Sequence, residues 1–399
     1  MAPPQKKSSR QSAPTTILAL SDDLLREVFL RLPSLPSLVR AALACPAFLR
    51  AVRSSPAFRR RFRDLHSPTI LGAFLVDEDT PMSTFAPVRL RDRRSDPDHA
   101  AALRGLDAFL TRLPDAIDVK KDDGEDWTMS ACCDGYVLLV TPQWNTKKVA
   151  VYDPLTGALH LFPGPPDEVF GGQSEYTAAE FHVIPSEADD RSFRVLCVPK
   201  EDGGKQIAIL SPDTREWQIS PTPWSLQDAD NVKLARNGLV YWASSDQDSI
   251  PVLNTATMQF SQTGMPPTVP SCVLGETKDG NLCLARAYDD NLELLVWVLR
   301  AGVDKWRNRA FQMVDANAMD KLALNIVDEC PSLNVVAIVT GVVYLTIHQN
   351  QPPNWLISFC IETRELQKLC RITTSEFCYP YIMAWPPSLL PRKTTALSS

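Results

Sequence analysis

The chain is poor in glycine and contains no long hydrophobic run. It has 16 glycines against 33 prolines in 399 residues, and proline at this density divides a chain into short segments. The longest apolar stretch, VVAIVTGVVYLTI from Val335 to Ile347, is shorter than a bilayer span and includes polar residues. This composition predicts many short strands and no membrane-spanning segment.

The short motifs of common enzyme classes are missing as well. The sequence contains no G-x-S-x-G, H-E-x-x-H or G-x-x-x-x-G-K-[ST], which are the motifs of nucleophile elbows, zinc-binding helices and phosphate loops. The five histidines are scattered, and nothing in the sequence pairs carboxylates such as Glu180 and Glu293. The acidic run Asp122–Asp126 lacks the alternating spacing of a calcium loop. We therefore expect no cofactor, no metal site and no catalysis by this chain.

The ten cysteines include no C-x-x-C pair, and most lie in apolar strand-like runs, where cysteine behaves as a small hydrophobe. Residues 1–16 carry two lysines, but the apolar segment that follows is too short for a signal peptide. We expect reduced thiols and a location in the cytoplasm, the nucleus or both. Residues 1–16 and 388–399 are predicted to be disordered tails.

Charge is distributed unevenly along the chain. Residues 1–66 contain 12 Lys and Arg and 4 Asp and Glu, a net charge of +8, so the total of -6 leaves -14 for the remainder. Only Phe58 and Phe62, at helical spacing, accompany the basic run Arg50–Arg63. We expect no nucleic-acid partner, because a basic face that meets an acidic protein surface accounts for the charge.

Residues 17–66 have the pattern of a small helical domain. Ser21 precedes two aspartates and an apolar stripe, which is typical of a helix start. A second apolar stripe, interrupted near Pro46, and a short third segment follow. Two or three short helices bury only a small core, so the apolar surface packs either on the following domain or on a partner protein.

The order of residues in this region is that of a known motif. The pattern L-x-x-D-L-L-x-x-[VI]-F-x-R-L-P, then S-L-x-R-A-x-x-x-C and P-x-F, resembles the F-box over Leu20 to Phe62. Ser21 replaces a usual proline and Phe48 a usual tryptophan; serine can cap a helix and phenylalanine can fill an aromatic position. The resemblance implies an apolar surface for a Skp-type adaptor, formed by Leu20, Leu24, Leu25, Val28, Leu32, Pro33, Leu38, Leu43 and Cys45.

Residues 67–387 contain a repeat. The segments YDPLTGAL, LSPDTREW, LNTATMQF and FCIETREL align on four threonines, and LRAGVDKW is a fifth copy with Val303 in the threonine position. Each copy predicts a strand, a tight turn and a strand. Four copies are preceded, 19 to 23 residues earlier, by a glycine and an apolar run. The threonines are Thr156, Thr214, Thr257 and Thr363, and the glycines Gly135, Gly238, Gly280 and Gly341.

Five such units, each in outline a four-stranded antiparallel sheet, are typical of a propeller. Ile70–Val76 and Phe377–Trp385 are strand-like and could pair to close the ring as a sixth blade. A pair of stacked β-sandwiches is the alternative, but it does not require so regular a spacing. The predicted fold is therefore α+β and multidomain, with a small helical domain followed by an all-β propeller of five or six blades.

Residues 67–387 contain four short motifs, in the order D-G-Y-x-L-L, Y-D-P-L-T-G, N-G-L-V-Y-W and Y-I-x-A-W-P-P. Each motif is weak alone, but their order along the chain is informative about the family. They resemble the β-propeller-like F-box-associated domains of plant F-box proteins. The resemblance implies the substrate-recognition subunit of an SCF-type cullin-RING ubiquitin ligase, which reaches cullin through the adaptor. Catalysis then belongs to other subunits, and the chain acts by proximity.

The target protein would be bound by exposed propeller loops, for which length and polarity suggest Glu168–Tyr176 and Gln349–Asn354. Two other functions remain open at this point. One is an F-box scaffold or binding module that acts without ubiquitin transfer, and the other is a propeller enzyme with an incidental helical cap.

Overall fold

The computed structural model divides the chain into two compact units, Met1–His66 together with Ser388–Ser399, and Ser67–Pro387. We call them the helical unit and the propeller unit. The structure describes residues 17, 20–77, 80–88, 96–114, 127–141, 148–170, 179–185, 193–199, 206–223, 231–234, 238–243, 249–266, 272–289, 292–300, 305–312, 322, 324, 331–373 and 377–390. The predicted tail 1–16 and the acidic run 122–126 lie outside these residues.

Four short helices form the described part of the helical unit: α1 (Asp22–Phe29), α2 (Leu35–Leu43), α3 (Pro46–Arg53) and α4 (Pro56–Leu65). Ser21, Ser34 and Ser55 each accept a hydrogen bond from a backbone N–H of the first turn, and proline occupies the first turn of α2, α3 and α4. Both features satisfy or remove N–H groups that a helix start leaves unpaired. The second predicted stripe is thus two helices, because Pro46 begins a new one.

The strands of the propeller unit form six sheets within the described residues. Five of them are four-stranded antiparallel meanders, which we call blades 1 to 5. Their strands are β3 (Thr128–Cys133), β4 (Tyr136–Val140), β5 (Lys148–Asp153), β6 (Ala158–Pro163); β7 (Ala179–Pro185), β8 (Phe193–Pro199), β9 (Gln206–Ser211), β10 (Glu216–Pro221); β11 (Asn231–Leu234), β12 (Leu239–Ala243), β13 (Ser249–Asn254), β14 (Gln259–Gly264); β15 (Val273–Glu276), β16 (Leu282–Tyr288), β17 (Glu293–Leu299), β18 (Trp306–Gln312); and β19 (Ser332–Val339), β20 (Val342–His348), β21 (Asn354–Cys360), β22 (Leu366–Ile372).

The sixth sheet, the closing blade, joins the two ends of the propeller sequence. It contains β1 (Ile70–Asp77), β2 (Thr80–Pro87) and β23 (Phe377–Ile382) in the order β2-β1-β23. β23 pairs antiparallel with β1, with Phe74 opposite Tyr379, and it contacts β19 on one side and β3 on the other. The predicted pairing of these two segments is confirmed, and the fold is a six-bladed propeller preceded by a small helical region.

The core of the propeller unit lies between neighbouring blades. Separate clusters of buried side chains join blades 1 and 2, blades 2 and 3, blades 3 and 4, blades 4 and 5, and blade 5 and the closing blade. Outermost strands such as β10 and β14 alternate between exposed and half-buried residues. This pattern of burial is expected for a blade whose two faces pack on the neighbouring blades and whose outermost strand borders the solvent.

A fifth helix, α5 (Pro97–Gly105), belongs to the propeller unit and is absent from the sequence prediction, which placed only strands there. Asp96 caps it and Pro97 begins it. The segment after it is attached to blade 1, where the Asp107 N–H donates to Pro154 O at 2.9 Å and Tyr152 Oη donates to the Asp107 carboxylate at 2.5 Å.

Candidate binding surfaces

The apolar residues of the helical unit divide into a buried and an exposed set. Leu25 and Phe29 of α1 are buried, and Phe29 meets Phe48 of α3 edge to face at 5.4 Å. Ser21 accepts from the Leu24 N–H. The two departures from the F-box pattern, Ser21 and Phe48, therefore have the roles expected of them, a helix cap and an aromatic packing residue.

Four of the nine residues predicted to bind the adaptor are exposed. Leu24 is 54% exposed, Val28 41% and Leu43 52%, and Pro33 is exposed as well. Leu24 and Val28 are four residues apart on α1, so they are neighbours on one helix face. Leu20, Leu32 and Cys45 are half-buried.

The other two predicted residues belong to the core of the helical unit. Leu25 is 2% exposed and Leu38 is fully buried, so neither can contact a partner while the unit is folded. The hydrophobic pattern cannot separate them from Leu24 and Val28, because on a short helix both faces carry leucine. Leu25 and Leu38 therefore support the predicted adaptor-binding surface from the core of the helical unit and are not part of that surface.

Exposed large hydrophobic side chains are concentrated on the helical unit. Five of the seven within the described residues are Ile17, Leu24, Val28, Leu43 and Leu65, whereas the much longer propeller unit has two, Phe109 and Phe377. Scattered single apolar residues are normal on a protein surface, and the helical unit carries more of them for its size than the propeller unit does.

Charged side chains hold α1 in place next to this surface. Arg26 donates through Nε to Ala51 O at 2.9 Å and through Nη2 to Ser54 Oγ at 2.9 Å, which joins α1 to α3. Arg61 of α4 pairs with Glu27 at 2.6 Å. Part of the predicted basic run Arg50–Arg63 thus forms ion pairs within the unit, since Arg50 also lies 3.6 Å from Asp22.

The C-terminal segment is part of the helical unit. Arg53 donates to Ser388 O through Nε at 2.8 Å and through Nη2 at 2.6 Å, and Leu389 and Leu390 are buried. The sequence prediction placed these residues in a disordered tail. The structure differs for 388–390, because two consecutive leucines have apolar surface to bury, while 391–399 lie outside the described residues.

The two ends of the propeller blades differ. In a meander, the first and third turns lie at one end, and the second turn and the connection to the next blade at the other. The first end mostly carries tight turns such as 134–135, 154–157 and 340–341. The second end, which we call the connection face, carries longer chain segments, including 164–178 and 313–331.

The two loops predicted to bind a target both belong to the connection face. Val169 and Phe170, in the first loop, are buried in a 3-10 turn, and 171–176 lie outside the described residues. In the second loop, the Gln349 N–H donates to Asn354 Oδ1, and Gln349 Nε2 donates to Pro353 O, both at 2.8 Å. The second loop is therefore a fixed turn.

A groove of about 470 Å³ lies between the closing blade and blade 5. Thr84, Phe85 and Ala86 of β2 form one side. Its remaining described lining is Leu75, Pro352, Pro353, Arg371, Ile372 and Thr373. One of the two predicted loops thus contributes to the groove, through its two prolines.

Two cations of β22 stack on Trp355, a residue of the buried cluster between blades 4 and 5. The Arg371 guanidinium lies 5.3 Å from the centre of the Trp355 ring, and Lys368 Nζ lies 3.4 Å from it. Such stacking holds a cation in place while its charge remains available. Within the part of the chain that the structure describes, Arg371 has no ion pair with a carboxylate, and it is exposed.

The carboxylates singled out in the sequence are not brought together among the described residues. No cluster of three His, Cys, Asp or Glu could hold a metal among them, and Glu180 and Glu293 lie on different blades, on β7 and β17. The nine cysteines that the structure describes are free thiols. Burial raises the pKa of Cys132 well above its ordinary value and that of Cys272 to about 11, which disfavours the reactive thiolate.

No helix in the described ranges is long and apolar enough to cross a membrane. Residues 128–389 match the family described as "F-box protein AT5G49610-like, beta-propeller". No curated protein matches the sequence.

Several solved structures match the chain at low sequence identity and low TM-score. A streptogramin B lyase is 14% identical, with 64% of this chain and 72% of that chain covered and a TM-score of 0.36. A chain of a nidogen/laminin complex is 10% identical, with 77% and 96% covered and a TM-score of 0.40. A protein of unknown function from Bacteroides caccae is 9% identical, with 78% and 99% covered and a TM-score of 0.41.

Proposed function

Since the chain belongs to the family of F-box protein AT5G49610-like β-propellers, we propose that it is the substrate-recognition subunit of an SCF-type cullin-RING ubiquitin ligase. In this proposal the helical unit is an F-box that binds a Skp-type adaptor, and through it cullin. The propeller binds the protein to be ubiquitylated. The chain itself performs no catalysis, needs no cofactor, and acts in the cytoplasm, the nucleus or both of a plant cell.

One observation carries the adaptor-binding part of the proposal, the concentration of exposed apolar side chains on the helical unit. Leu24 and Val28 are exposed on α1, while Leu25 and Phe29 hold the other side of that helix in the core. An exposed pair of aliphatic side chains on a helix held by packing and by the Arg26 contacts is suited to enter an apolar groove of a partner. The net charge of +8 on residues 1–66 favours an acidic partner.

The mechanism that follows is positioning. The propeller holds a target protein near a ubiquitin-charged enzyme that the cullin assembly brings, and high effective concentration promotes transfer to the target's lysines. Supporting this reading, the connection face of the propeller carries long chain segments of the kind that binding sites use.

Substituting Leu24 and Val28 together by Asp tests the adaptor surface. Both side chains are exposed, so we expect the fold to be retained and adaptor binding to fall at least 100-fold, about 1.4 kcal/mol or more for each residue. Binding of the full chain to a purified Skp-type adaptor is measured by calorimetry, with unfolding curves to confirm the fold.

Leu65→Asp is the matched control, because Leu65 is equally exposed on the same unit but lies outside the predicted set. Unchanged adaptor binding in the double variant would contradict the assigned surface. Ubiquitin transfer to bound proteins in a reconstituted ligase separates a substrate receptor from a scaffold: adaptor binding with no transfer would favour the scaffold.

A further inference from the structure

The ring of His66 bridges two parts of the helical unit. His66 follows the last residue of α4. Its Nδ1 lies 2.8 Å from Phe62 O, in the last turn of α4, and its Nε2 lies 2.7 Å from Leu32 O, in the corner of residues 30–34 between α1 and α2. The half-buried ring stacks on the ring of Phe62, with centroids 3.9 Å apart and an interplanar angle of 19°. Since Phe62 is 2% exposed, the histidine rests on the core of the unit.

Both backbone atoms that the ring contacts are carbonyl oxygens, which accept hydrogen bonds and donate none. A neutral imidazole carries a hydrogen on only one ring nitrogen, whichever tautomer it adopts. It can therefore donate to one of the two carbonyls, and it turns a lone pair towards the other. The imidazolium carries a hydrogen on both nitrogens and can donate to both. The hydrogen bonds at His66 are complete only when the ring is charged.

The surroundings of the ring favour its charged form. The Nδ1 contact is with the C-terminal turn of α4, where the helix dipole is negative, and the face of an aromatic ring attracts a cation. Beside the two contacts, the charged residues are Arg31 in the corner and Arg63 and Asp64 on α4. Arg31 is exposed, so solvent screens its repulsion. Within the described ranges His66 has no ion pair with a carboxylate, and the two carbonyls are its close polar contacts.

The corner that His66 contacts carries part of the predicted adaptor surface. Leu32, half-buried, and Pro33, exposed, both belong to the predicted set, and Ser34 caps α2 directly after them. The Leu32 N–H donates to Phe29 O of α1 at 3.1 Å, while the Leu32 carbonyl accepts from a ring 34 positions later in the chain. The second of these bonds ties the corner to the end of α4.

We propose that His66 is a positioning residue for the adaptor surface and that its action depends on its proton. As an imidazolium it donates to Leu32 O and Phe62 O together and holds the corner against α4. When the ring loses a proton at higher pH, one of the two hydrogen bonds is lost, the corner is held less firmly, and the adaptor binds more weakly. The inference rests on the proposed binding of the adaptor by the helical unit.

The direction of the pH dependence follows from the acceptors. The folded unit offers the imidazolium two carbonyls in fixed positions, so folding favours the protonated ring. The contribution of His66 to stability is therefore present at acidic pH and is lost as the pH rises. Because histidine titrates close to physiological pH, adaptor binding would respond to pH changes in that range.

His99 on α5 is a matched comparison within the same chain. It is 8% exposed, and its Nε2 lies 2.9 Å from one carbonyl oxygen, that of Ile70. A neutral tautomer can donate to a single acceptor, so His99 does not require a second proton. The two histidines separate the effect of a second acceptor from the effect of burial.

Nitrogen NMR of the full chain with isotope-labelled histidine observes the proton directly. The signals of the two rings are assigned by their disappearance in His66→Gln and in His99→Gln. At about pH 7 we expect two ring N–H groups for His66 and one for His99. A neutral His66 ring at about pH 6 would overturn the proposal.

Adaptor affinity supplies the functional arm of the test. Calorimetry compares the unmodified chain, His66→Gln and His99→Gln between about pH 6 and about pH 8 with a purified Skp-type adaptor. Because the adaptor titrates too, the difference between chains is the measured quantity. At the acidic end His66→Gln should bind about threefold more weakly or worse. At the basic end the unmodified chain should fall to the affinity of His66→Gln, and His99→Gln should follow the unmodified chain throughout.

Unfolding of the same three chains, followed by the helical circular dichroism signal, should show the same convergence as the pH rises. A difference between the unmodified chain and His66→Gln that is constant over the pH range would mean that His66 acts by packing alone, and would overturn the proposal. An equal loss of pH dependence in His99→Gln would overturn it as well. If no chain binds the adaptor while His66 is charged and the unfolding curves converge, the proposed function is contradicted and the protonation-dependent contact of the corner is retained.

Discussion

Gly275 lies on β15, the first strand of blade 4, where that blade meets β19 of blade 5. A Cβ at this position would overlap Ile338 of β19 and lie 2.9 Å from the Ile338 backbone oxygen. We expect Gly275→Ala to destabilise the propeller by about 1–3 kcal/mol, because a packed interface cannot take an extra methyl group. Urea unfolding monitored by tryptophan fluorescence measures the change.

Gly264→Ala is the comparison for that experiment. Gly264 also lies on a strand, β14, but an added Cβ would meet no atom within 4 Å, so the free energy of unfolding should change by less than about 0.5 kcal/mol. Equal effects of the two substitutions would contradict the close approach of β15 and β19.

Asp107 holds the segment after α5 on blade 1. Burial raises the pKa of its carboxyl, but hydrogen bonds from Tyr152 and Thr111 outweigh this, so the pKa lies below its ordinary value of 3.8. A pKa lowered by folding stabilises the folded state above the unfolded-state pKa, and this contribution is lost as the pH falls through the folded-state pKa.

We therefore expect Asp107→Asn to reduce stability by about 1 kcal/mol at neutral pH, and the difference from the unmodified chain to shrink below pH 3.8. Urea unfolding of both chains at neutral and acidic pH checks this. A difference that stays constant or grows on acidification would mean that the carboxylate is not the stabilising form.

At the scale of elements, the repeat in the sequence locates the hairpins of the propeller. Each of the four aligned threonines lies in or beside the tight turn that joins the third and fourth strands of a blade, such as β5 and β6. Gly135 and Gly341 precede second strands and have φ of 80° and 77°, a conformation that favours glycine. Turn chemistry is local, and therefore it can be read from sequence.

Two elements that have no local sequence signal, helix α5 and the segment 388–390, were not predicted. Helix α5 buries only His99, so it has no apolar stripe from which a helical period could be recognised. The segment that contains Leu389 and Leu390 is held by hydrogen bonds from Arg53, 335 positions earlier, to Ser388 O, and sequence patterns within a short window do not contain that information.

The C-terminal segment yields a prediction of its own. A chain that ends at Pro387 loses two buried leucines and the Arg53 hydrogen bonds, so the helical unit should be destabilised by about 3 kcal/mol or more. All nine tryptophans lie within residues 67–387. Thermal unfolding should therefore shift to lower temperature in the helical circular dichroism signal and remain unchanged in tryptophan fluorescence.

A chain that ends at Leu390 is the control for this truncation. It retains the segment that Arg53 contacts and removes only 391–399, so both signals should match those of the full chain. If the chain that ends at Pro387 unfolds at the same temperature as the chain that ends at Leu390, residues 388–390 do not contribute to the stability of the helical unit.

For the whole molecule, the ring closure was predictable because both closing strands are apolar, strand-like runs near the ends of the repeat. The groove was not predictable. It forms where β2 and β22, nearly 300 residues apart, come together after closure. The polarity of residues 349–354 predicted a target-binding loop, and this loop contributes Pro352 and Pro353 to the groove. Nothing in the sequence indicated that β2 would form the other side of the groove.

The central claim is a division of labour between two units, one that binds the adaptor and one that binds the target. Hydrogen exchange of the full chain, alone and with a Skp-type adaptor, tests it most directly. We predict slower exchange in α1 and the end of α2 when the adaptor is present, with the propeller strands β3 to β22 unchanged. Adaptor-dependent protection confined to the propeller strands, with α1 unchanged, would contradict the account.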